Sequence, residues 1–267
     1  MADWLHPPLL LLLCALCGAA GAVLGLGGGL LVVPLLVFAW GLEFHQAAAT
    51  SLVCCLATSA AGSLGLERSG RVDYALVAEL EVFAVAGALG AAALAVRIPA
   101  AVLAFLFALV SLVAAWRVAR RELRVGDAGA PGGESAPTAP GPARRAGAWA
   151  LSAVAGVAST LLGIGGGPIK VPLQTELLRV NLPTALANSN LMVGITSAIG
   201  VAASYGRGLI RPEETAAACL GIAAGAYAGG RVAHHLKTRW LAIAFVLVLV
   251  VTALRMLWKV KESWSGA

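Results

Sequence analysis

Apolar runs separated by short polar connections make up most of this chain. They lie near residues 8–25, 30–40, 47–66, 75–96, 100–117, 148–163, 169–178, 185–205, 215–232 and 241–258. Most of the ten runs reach, or nearly reach, the roughly 20 residues with which a helix crosses a bilayer. The runs 30–40 and 169–178 are too short to cross, and each starts directly after a triple glycine. The pattern therefore predicts an all-α polytopic membrane protein in which these two runs are half-helices that follow glycine breaks.

One segment of the chain occurs twice. GLGGGLLVVPL at 25–35 returns as GIGGGPIKVPL at 163–173, an offset of 138 residues. At the same offset and without a gap, residues 47–62 align with 185–200, with seven identical positions. The chain is therefore predicted to consist of two homologous halves. Repeats with broken helices are typical of secondary transporters, because a broken helix exposes backbone polar groups that hold a solute near the midplane.

The repeat divides the chain into a first transmembrane repeat at 1–119, a linker at 120–147 and a second transmembrane repeat at 148–267. The linker is rich in Gly, Pro and Ala from residue 126 onward and too polar to pack, so we expect a flexible connection outside the membrane. Six arginines flank it: Arg117, Arg120, Arg121, Arg124, Arg144 and Arg145. Because positive charge marks the cytoplasmic side, the linker is predicted to be cytoplasmic and the protein to lie in the inner (cytoplasmic) membrane.

Charge counting does not decide how the two halves are oriented. If each half crosses four times, the halves are parallel; if each glycine break makes a hairpin that enters and leaves on one side, each half crosses three times and the halves are inverted. Both arrangements place 13 of the 19 Lys and Arg residues on the cytoplasmic side. The inverted arrangement is preferred, because the post-glycine runs are too short to span and an odd number of crossings gives alternating access by symmetry. Each half is then a glycine-broken helical hairpin plus three transmembrane helices.

Composition excludes an ordinary soluble domain. The chain is 60% hydrophobic and 12% charged, with a mean hydropathy of +0.88, whereas a soluble domain has about a quarter of its residues charged. The net charge of +6 is interpreted as the topology signal and not as a nucleic-acid surface. The first run could be mistaken for a signal peptide, but it lacks a basic start and has a duplicate at 148–163, so we expect it to be retained. The expected partners are the lipid bilayer and a small solute, and no oligomeric state follows from the sequence.

The two triple glycines are the first candidate site. Unpaired backbone groups in lipid cost several kcal/mol each, so a break persists only where protein buries it or where it faces a watery cavity. The glycines would let a solute approach the backbone closely: Gly27, Gly28, Gly29, Gly165, Gly166 and Gly167. The half-helix N-termini that follow carry partial positive charge, which favours an anion. The alternative is close helix packing through small residues; the duplication, with Pro34 and Pro172 at the same offset, favours a site.

Lys170, three residues beyond the second triple glycine, is the second candidate. A lysine between Ile169 and Val171 costs about 2.5–3.5 kcal/mol at a bilayer centre, so we expect it to face a cavity where it adds positive charge. The alternative is a side chain that reaches to the cytoplasmic interface. Its counterpart in the first half is Val32, so the repeat alone does not require a lysine.

The helix after each half-helix opens with polar side chains. We expect these to donate hydrogen bonds to solute oxygens: Thr50, Ser51, Asn188, Ser189 and Asn190. Two turns further on, another set is expected to bond its own helix backbone: Thr58, Ser59, Thr196 and Ser197. Glu79 and Glu81 are interpreted either as carriers of a coupling proton or as interfacial residues shortly after Asp73.

The five cysteines suggest a different function. All lie in apolar runs, so no disulfide framework is expected. Cys14 and Cys17 form the CxxC that a membrane thiol-redox relay would use, but the second half has no counterpart, and small apolar filler is the preferred interpretation. The sequence has no metal-ligand spacing, nucleotide motif or nucleophile triad, so neither an enzyme nor a cofactor is predicted.

The duplicated glycine-rich break that runs into a proline, each copy followed by a helix opening with Thr50-Ser51 or Asn188-Ser189, resembles the sulfite exporter TauE/SafE family of membrane permeases. The likeness covers nearly the whole chain except the linker. It implies movement of sulfur-containing anions such as sulfite or organosulfonates across the cytoplasmic membrane, through two homologous halves joined by a cytoplasmic loop. The family's glycine-rich motifs would correspond to residues 25–34 and 163–172. The second copy departs by having Asn188 and Asn190 where a threonine is more usual.

The sequence thus predicts a secondary transporter, a permease or exporter, for a small anion bound near the midplane between two glycine-broken half-helices. Two alternatives stay open: a membrane thiol-redox relay through Cys14 and Cys17, and an uncoupled anion channel built from the same residues. Neither the anion nor the direction of its movement follows from the sequence.

Overall fold

The computed structural model describes residues 6–24, 28–66, 70–125, 141–232 and 238–265. Within these ranges every regular element is helical, and each predicted apolar run falls in a helix. The helices are α1 His6–Leu24, α2 Gly29–Ala39, α3 Phe44–Leu66, α4 Tyr74–Leu94, α5 Ala100–Val125, α6 Pro142–Leu162, α7 Gly167–Pro172, α8 Leu182–Tyr205, α9 Pro212–Val232 and α10 Thr238–Ser265. A 3-10 turn, Ala95–Arg97, follows α4, and a π-helical turn, Leu173–Leu177, extends α7.

The described helices carry the surface of a membrane protein. Five of them are long and apolar enough to cross a bilayer: α4, α5, α6, α8 and α10. Large apolar side chains point outward, for example Leu109 on α5 and Leu247 on α10, which are 51% and 62% exposed. Apolar surface this extensive marks contact with lipid rather than water. The predicted all-α polytopic membrane protein is confirmed.

Helix is present at both ends of the region predicted as the linker, and the division of the chain stays a prediction. α5 continues to Val125 and α6 begins at Pro142, so helix enters the region 120–147 from both sides. Residues 126–140 lie outside the described residues. We call the end of the bundle where α5 ends and α6 begins the linker end, and the opposite end, where α4 leads into α5, the far end.

α6 and α7 form a hairpin that enters and leaves at the linker end. After the glycine break the chain turns back, so that Leu177 Cδ2 lies 3.6 Å from where a Cβ on Gly147, near the start of α6, would be. α7 is antiparallel to α8, because Lys170 bonds the carbonyl of Met192 whereas Gln174, one turn later, bonds Asn188. The π-helical turn therefore ends close to the linker-end start of α8.

α1 and α2 form the other hairpin, and this one enters from the far end. α2 leads into α3, whose first turn lies at the far end, because His45 Nε2 is 3.3 Å from the carbonyl oxygen of Ala95. α9 starts at the far end as well, since it follows α8, whose C-terminal side is tied to α4 by a hydrogen bond from Arg207 to Ala92. α1 runs parallel to α9 through the close pairs Leu11–Gly221, Ala15–Gly225 and Ala19–Gly229.

The two hairpins therefore enter the bundle from opposite ends, and the other three helices of each half run along it. This matches the inverted arrangement, which charge counting left tied with the parallel one. The contacts between the halves are equivalent in both directions. α1 of the first half packs on α9 of the second as α6 of the second packs on α4 of the first, and α3 contacts α9 as α8 contacts α4. Descent of the halves from one duplicated unit stays a prediction.

Glycines allow these helix pairs to touch. A Cβ on Gly156 of α6 would overlap the carbonyl oxygen of Ala84 on α4, and a Cβ on Gly225 of α9 would overlap the carbonyl oxygen of Ala15 on α1. Small residues let membrane helices approach until their backbones are in contact. These glycines within the helices therefore serve helix packing.

Candidate functional site

The second glycine break is an irregular segment in the interior of the protein. α6 ends in Gly163, and Gly163, Gly165 and Gly166 have φ values of +70°, +69° and +77°. Residues with a side chain seldom adopt this left-handed region, so the chain can reverse here only through glycine. α7 then starts at Gly167, with a proline in its first turn. The break is buried within protein, as an irregular segment at membrane depth requires.

The two breaks meet at a single serine. The Ser51 hydroxyl on α3 donates to the carbonyl oxygen of Gly163 at 2.6 Å and lies 3.2 Å from the carbonyl oxygen of Gly29, the first residue of α2. A Cβ on Gly29 would stand only 2.8 Å from Gly163 O. The end of α6 and the start of α2 are thus in direct contact, so the predicted polar position Ser51 joins the two breaks. Gly27 lies outside the described residues.

Three hydroxyl groups near the second break lack a hydrogen-bond partner among the described residues. They belong to Ser159 and Thr160, in the last turn of α6, and Ser197 on α8, and all three side chains are buried. Ser159 Cβ lies 3.5 Å from where a Cβ on Gly166 would be. Buried polar groups are almost always bonded, so unbonded donors clustered at a break indicate a place for a polar ligand or water.

Sequence reasoning missed Ser159 and Thr160. The only available signal was their position, two small polar residues in the last turn of an otherwise apolar helix directly before the glycines. Ser197 was noticed but expected to bond its own helix, which the structure does not show. Thr58 and Thr196 do bond their own helices, through Cys55 O at 3.0 Å and Met192 O at 2.7 Å.

A narrow crevice of about 20 Å³, room for about one water molecule, opens at the far end and borders the last turn of α6. Thr160 lines it, so one of the unbonded hydroxyls belongs to both the crevice and the last turn before the break. Polar side chains at the mouth are His45 and Arg207, which bond the carbonyl oxygens of Ala95 and Ala92 at 3.3 Å and 2.5 Å. The crevice places the polar interior close to the surface at the far end.

Lys170 is fully buried and does not reach an interface. Its ammonium lies 3.0 Å from Glu81 Oε2 and donates to Met192 O at 2.9 Å and to the Thr196 hydroxyl. Lys170 Cε is 3.4 Å from where a Cβ on Gly166 would be, which places the side chain beside the break. Its charge is balanced by Glu81, however, and is not an uncompensated positive charge.

Glu79 and Glu81, which the sequence treated alike, have different surroundings. Glu81 is 4% exposed and pairs with Lys170. Glu79 faces the linker-end surface, where it accepts a bond from the Trp149 indole at 2.9 Å and pairs with Arg145 at 3.4 Å. Only Glu81 belongs to the interior.

The polar starts of α3 and α8 mostly join helices to one another. Asn188 accepts a bond from the backbone N–H of Asp73 at 2.8 Å and donates to Gln174 Oε1 at 2.9 Å, so it links α8 to α4 and to the π-helical turn. Asn190 donates to Ser59 O on α3 at 3.1 Å, and the Ser59 hydroxyl donates to Asn190 O at 2.7 Å, so this pair links α3 to α8.

The remaining predicted positions lie near the centre but in other contacts. The Thr50 hydroxyl is 3.2 Å from the hydroxyl of Thr215 on α9, and Ser189 is buried on α8. Gly28 packs against Ile222, and Gly165 packs against Cys55 and Val193 of neighbouring helices. The structure thus brings together Gly29, Ser51, Gly165, Gly166, Gly167 and Lys170, and places Thr50, Asn188 and Asn190 in the contacts around them.

All five cysteines are free thiols. Cys14 and Cys17 lie one turn apart on α1, whereas the closest thiol pair is Cys54 of α3 with Cys219 of α9, whose sulfur atoms are 3.8 Å apart. No group of three or more metal-ligating side chains occurs among the described residues. The pairing of α3 and α9 thiols was not visible in the CxxC spacing.

Comparison with known proteins agrees with this architecture. The family model described as "Sulfite exporter TauE/SafE" matches residues 10–256. The probable membrane transporter protein MamO of Paramagnetospirillum magneticum (strain ATCC 700264 / AMB-1) is 27% identical over 279 residues, covering 93% of this chain and 44% of the relative. MamO of Magnetospirillum gryphiswaldense (strain DSM 6361 / JCM 21280 / NBRC 15271 / MSR-1) is 34% identical over 125 residues, covering 44% of this chain and 19% of the relative.

The chain spans less than half the length of these curated relatives. No solved structure matches it. The family match, by contrast, extends from α1 into α10 and includes both glycine breaks and the polar interior between them. The chain therefore belongs to the sulfite exporter TauE/SafE family of membrane transporters.

Proposed function

We propose that this protein is a secondary transporter for a small anion, that its substrates are sulfur oxyanions or organosulfonates such as sulfite, and that the anion binds near the midplane beside the two glycine breaks. One observation carries the proposal: hairpins that enter from opposite ends meet at Ser51, with unbonded hydroxyls next to them. Family membership supports the substrate class.

The chemistry of the site suits an anion with several oxygens. Ser159, Thr160 and Ser197 each offer a hydroxyl donor that bonds nothing else in the described chain. Gly165 and Gly166 carry no side chains of their own, although Cys55 and Val193 pack closely against Gly165, and Lys170 lies next to Gly166. A sulfite or sulfonate group has three oxygens, and each can accept bonds from more than one such donor.

The inverted hairpins supply a route to alternating access, in which one half moves against the other around a fixed site. The crevice approaches the site from the far end through Thr160. Toward the linker end, Lys170 with Glu81 and Asn188 with Gln174 form two layers of polar contacts across α4, α7 and α8. We propose that this conformation is closed at the linker end and that transport requires these layers to separate.

Uptake into proteoliposomes tests the proposal. We expect purified protein to accumulate labelled sulfite with saturable kinetics and to exchange it for unlabelled sulfite inside. Thiosulfate and methanesulfonate should compete better than acetate if the substrate class is right. Flux that rises linearly with concentration and shows no exchange would instead indicate the anion channel. A thermal-shift panel of the same anions gives an independent readout, because a ligand at 100 times its dissociation constant stabilises by about 2.7 kcal/mol.

Cytoplasmic location of the linker, and with it insertion in the inner membrane, is a further part of the proposal. We expect a cysteine introduced as Ser135→Cys into a cysteine-free protein to resist an impermeant thiol reagent added outside intact cells, because the flanking arginines hold the linker inside. The same cysteine should react once the membrane is permeabilised. Labelling in intact cells would show that the linker lies outside and that the orientation is the reverse of the one proposed.

The thiol-redox alternative predicts a different outcome for the cysteines of α1. Cys14 is buried and Cys17 half-buried in the packing between helices. We expect the double variant Cys14→Ala/Cys17→Ala to transport sulfite at the wild-type rate within about twofold, because neither thiol is among the atoms nearest the described break glycines. Complete loss of activity in a folded double variant would support the relay and count against the transporter.

A further inference from the structure

Glu81 and Lys170 form a closed ion pair in the membrane interior. Lys170 Nζ lies 3.0 Å from Oε2 and 3.3 Å from Oε1 of Glu81, and the Thr196 hydroxyl contacts both partners. The Lys170 side chain is 0% exposed and the Glu81 side chain 5%. The three protons of the ammonium have Glu81, Thr196 and Met192 O as acceptors, so each partner is satisfied in this conformation.

The fold itself does not need this pair. At the repeat offset of 138, Lys170 corresponds to Val32 and Glu81 to Cys219. Val32 is fully buried, and Cys219 packs against the apolar core. Apolar residues thus fill the equivalent positions of the first half. A buried ion pair brings little net stability over such residues, so its presence in one half indicates a role other than packing.

Other charged groups lie too far along the helices to neutralise Glu81. On its own helix, Glu79 is committed to Arg145 and Trp149 at the surface. α8 contributes Thr196 and no Asp, Glu, Lys or Arg between Leu182 and Tyr205. α6 contributes Arg144 and Arg145, both in its first turn at the linker end. Among the described residues, Lys170 is the charged group that contacts Glu81.

The pair also borders the proposed anion site. Lys170 Cε is 3.4 Å from the Cβ position of Gly166, and the Cβ of Ser159, whose hydroxyl is unbonded, is 3.5 Å from it. An anion bound at the break would therefore lie next to the Lys170 side chain, whose ammonium now pairs with Glu81. Two negative groups around one buried ammonium repel each other strongly, because the surroundings screen charge poorly.

We infer that Glu81 is the proton-binding site of this transporter and that Lys170 exchanges the Glu81 carboxylate for the transported anion. The inference rests on the proposed function and names its coupling ion. When the anion pairs with Lys170, the displaced carboxylate takes up one proton, since an unpaired buried charge is neutralised rather than kept. When the anion leaves, Glu81 loses that proton and pairs with Lys170 again. One proton and one negative charge of the solute then move together in the same direction.

Glu81→Gln separates binding from proton coupling. The probe is labelled methanesulfonate, whose sulfonate stays ionised across the pH range used, so that any proton dependence belongs to the protein. Glutamine imitates the protonated carboxyl. We expect the ratio of accumulation driven by a pH gradient to exchange of external for internal methanesulfonate at equal pH to fall at least about tenfold relative to wild type. Glu79→Gln, two residues earlier and at the surface, is the matched control and should accumulate the probe like wild type.

Calorimetry of the wild-type protein in two buffers of different ionisation enthalpy gives a second, independent measurement. We expect about one proton taken up per methanesulfonate bound, and this result does not depend on how Glu81→Gln folds. Retained gradient-driven accumulation in Glu81→Gln, or no proton uptake on binding to wild type, would overturn the inference while leaving transport itself intact. Absence of exchange by the wild type would contradict the proposed function instead.

Discussion

Lys170→Met is expected to destabilise the protein by about 3–5 kcal/mol. The substitution would leave Glu81, which is 4% exposed, without its partner. The carboxylate must then either stay charged in the interior or bind a proton, and both options cost free energy at neutral pH. The loss should shrink as the pH falls, because a protonated Glu81 is neutral and needs no partner. Unfolding of purified protein in a mild detergent, followed at several pH values, measures both effects.

Two further variants make this result specific. Lys170→Met/Glu81→Leu removes both charges and should recover most of the loss, as replacing a buried pair by apolar residues usually does. Arg117→Met breaks the Arg117–Glu176 pair, which has the similar N–O distance of 2.9 Å but is 35% and 67% exposed. That change should cost at most about 1 kcal/mol. If Lys170→Met lowers the free energy of unfolding by no more than Arg117→Met does, the Lys170–Glu81 pair is not shielded from solvent as described.

Gly166→Val is expected to reduce transport to the background level. The valine side chain would project between Ala155 O, Lys170 Cε and Ser159 Cβ, which lie 3.2, 3.4 and 3.5 Å from the new Cβ, and would fill the space where the anion is proposed to bind. Initial uptake rates in proteoliposomes, normalised to the amount of inserted protein, measure the effect.

Gly41→Val is the matched control for this prediction. Gly41 has a φ of +67°, close to the +77° of Gly166, but a Cβ there would meet nothing within 4 Å. Both variants therefore carry the same backbone cost of roughly 1–2 kcal/mol for a left-handed residue, and only one fills the break. Equal transport by the two variants would show that Gly166 does not line the site.

Anion binding and proton binding would share one ammonium in this protein. In the proposed mechanism, the hydroxyls of Ser159, Thr160 and Ser197 would supply neutral hydrogen-bond donors to the anion. Lys170 would decide between the two negative groups, because it can pair fully with only one of them. Such competition requires that only one cation be present. The equivalent position of the first half is Val32, which adds no second positive charge.

Several features of this protein could be predicted from local sequence. The helices follow from the lengths of the apolar runs, because a segment in lipid must satisfy its backbone groups internally. The break before α7 follows from Gly165 and Gly166, which take left-handed φ values that other residues avoid. The inverted order followed from the shortness of the post-glycine runs. Each of these properties depends on residues that are near one another in the chain.

Helix packing decided the rest, because it depends on partners far apart in the sequence. Lys170 meets Glu81 across 89 residues, and Ser51 meets Gly163 across 112, and neither pair has a spacing that a sequence pattern reveals. A hydroxyl in a helix can always bond its own backbone, so the chain alone could not show that Thr58 does so, that Ser59 bonds α8 and that Ser159 bonds nothing in the described chain. The tertiary structure selects among these options, because it determines which acceptors come within reach of each donor.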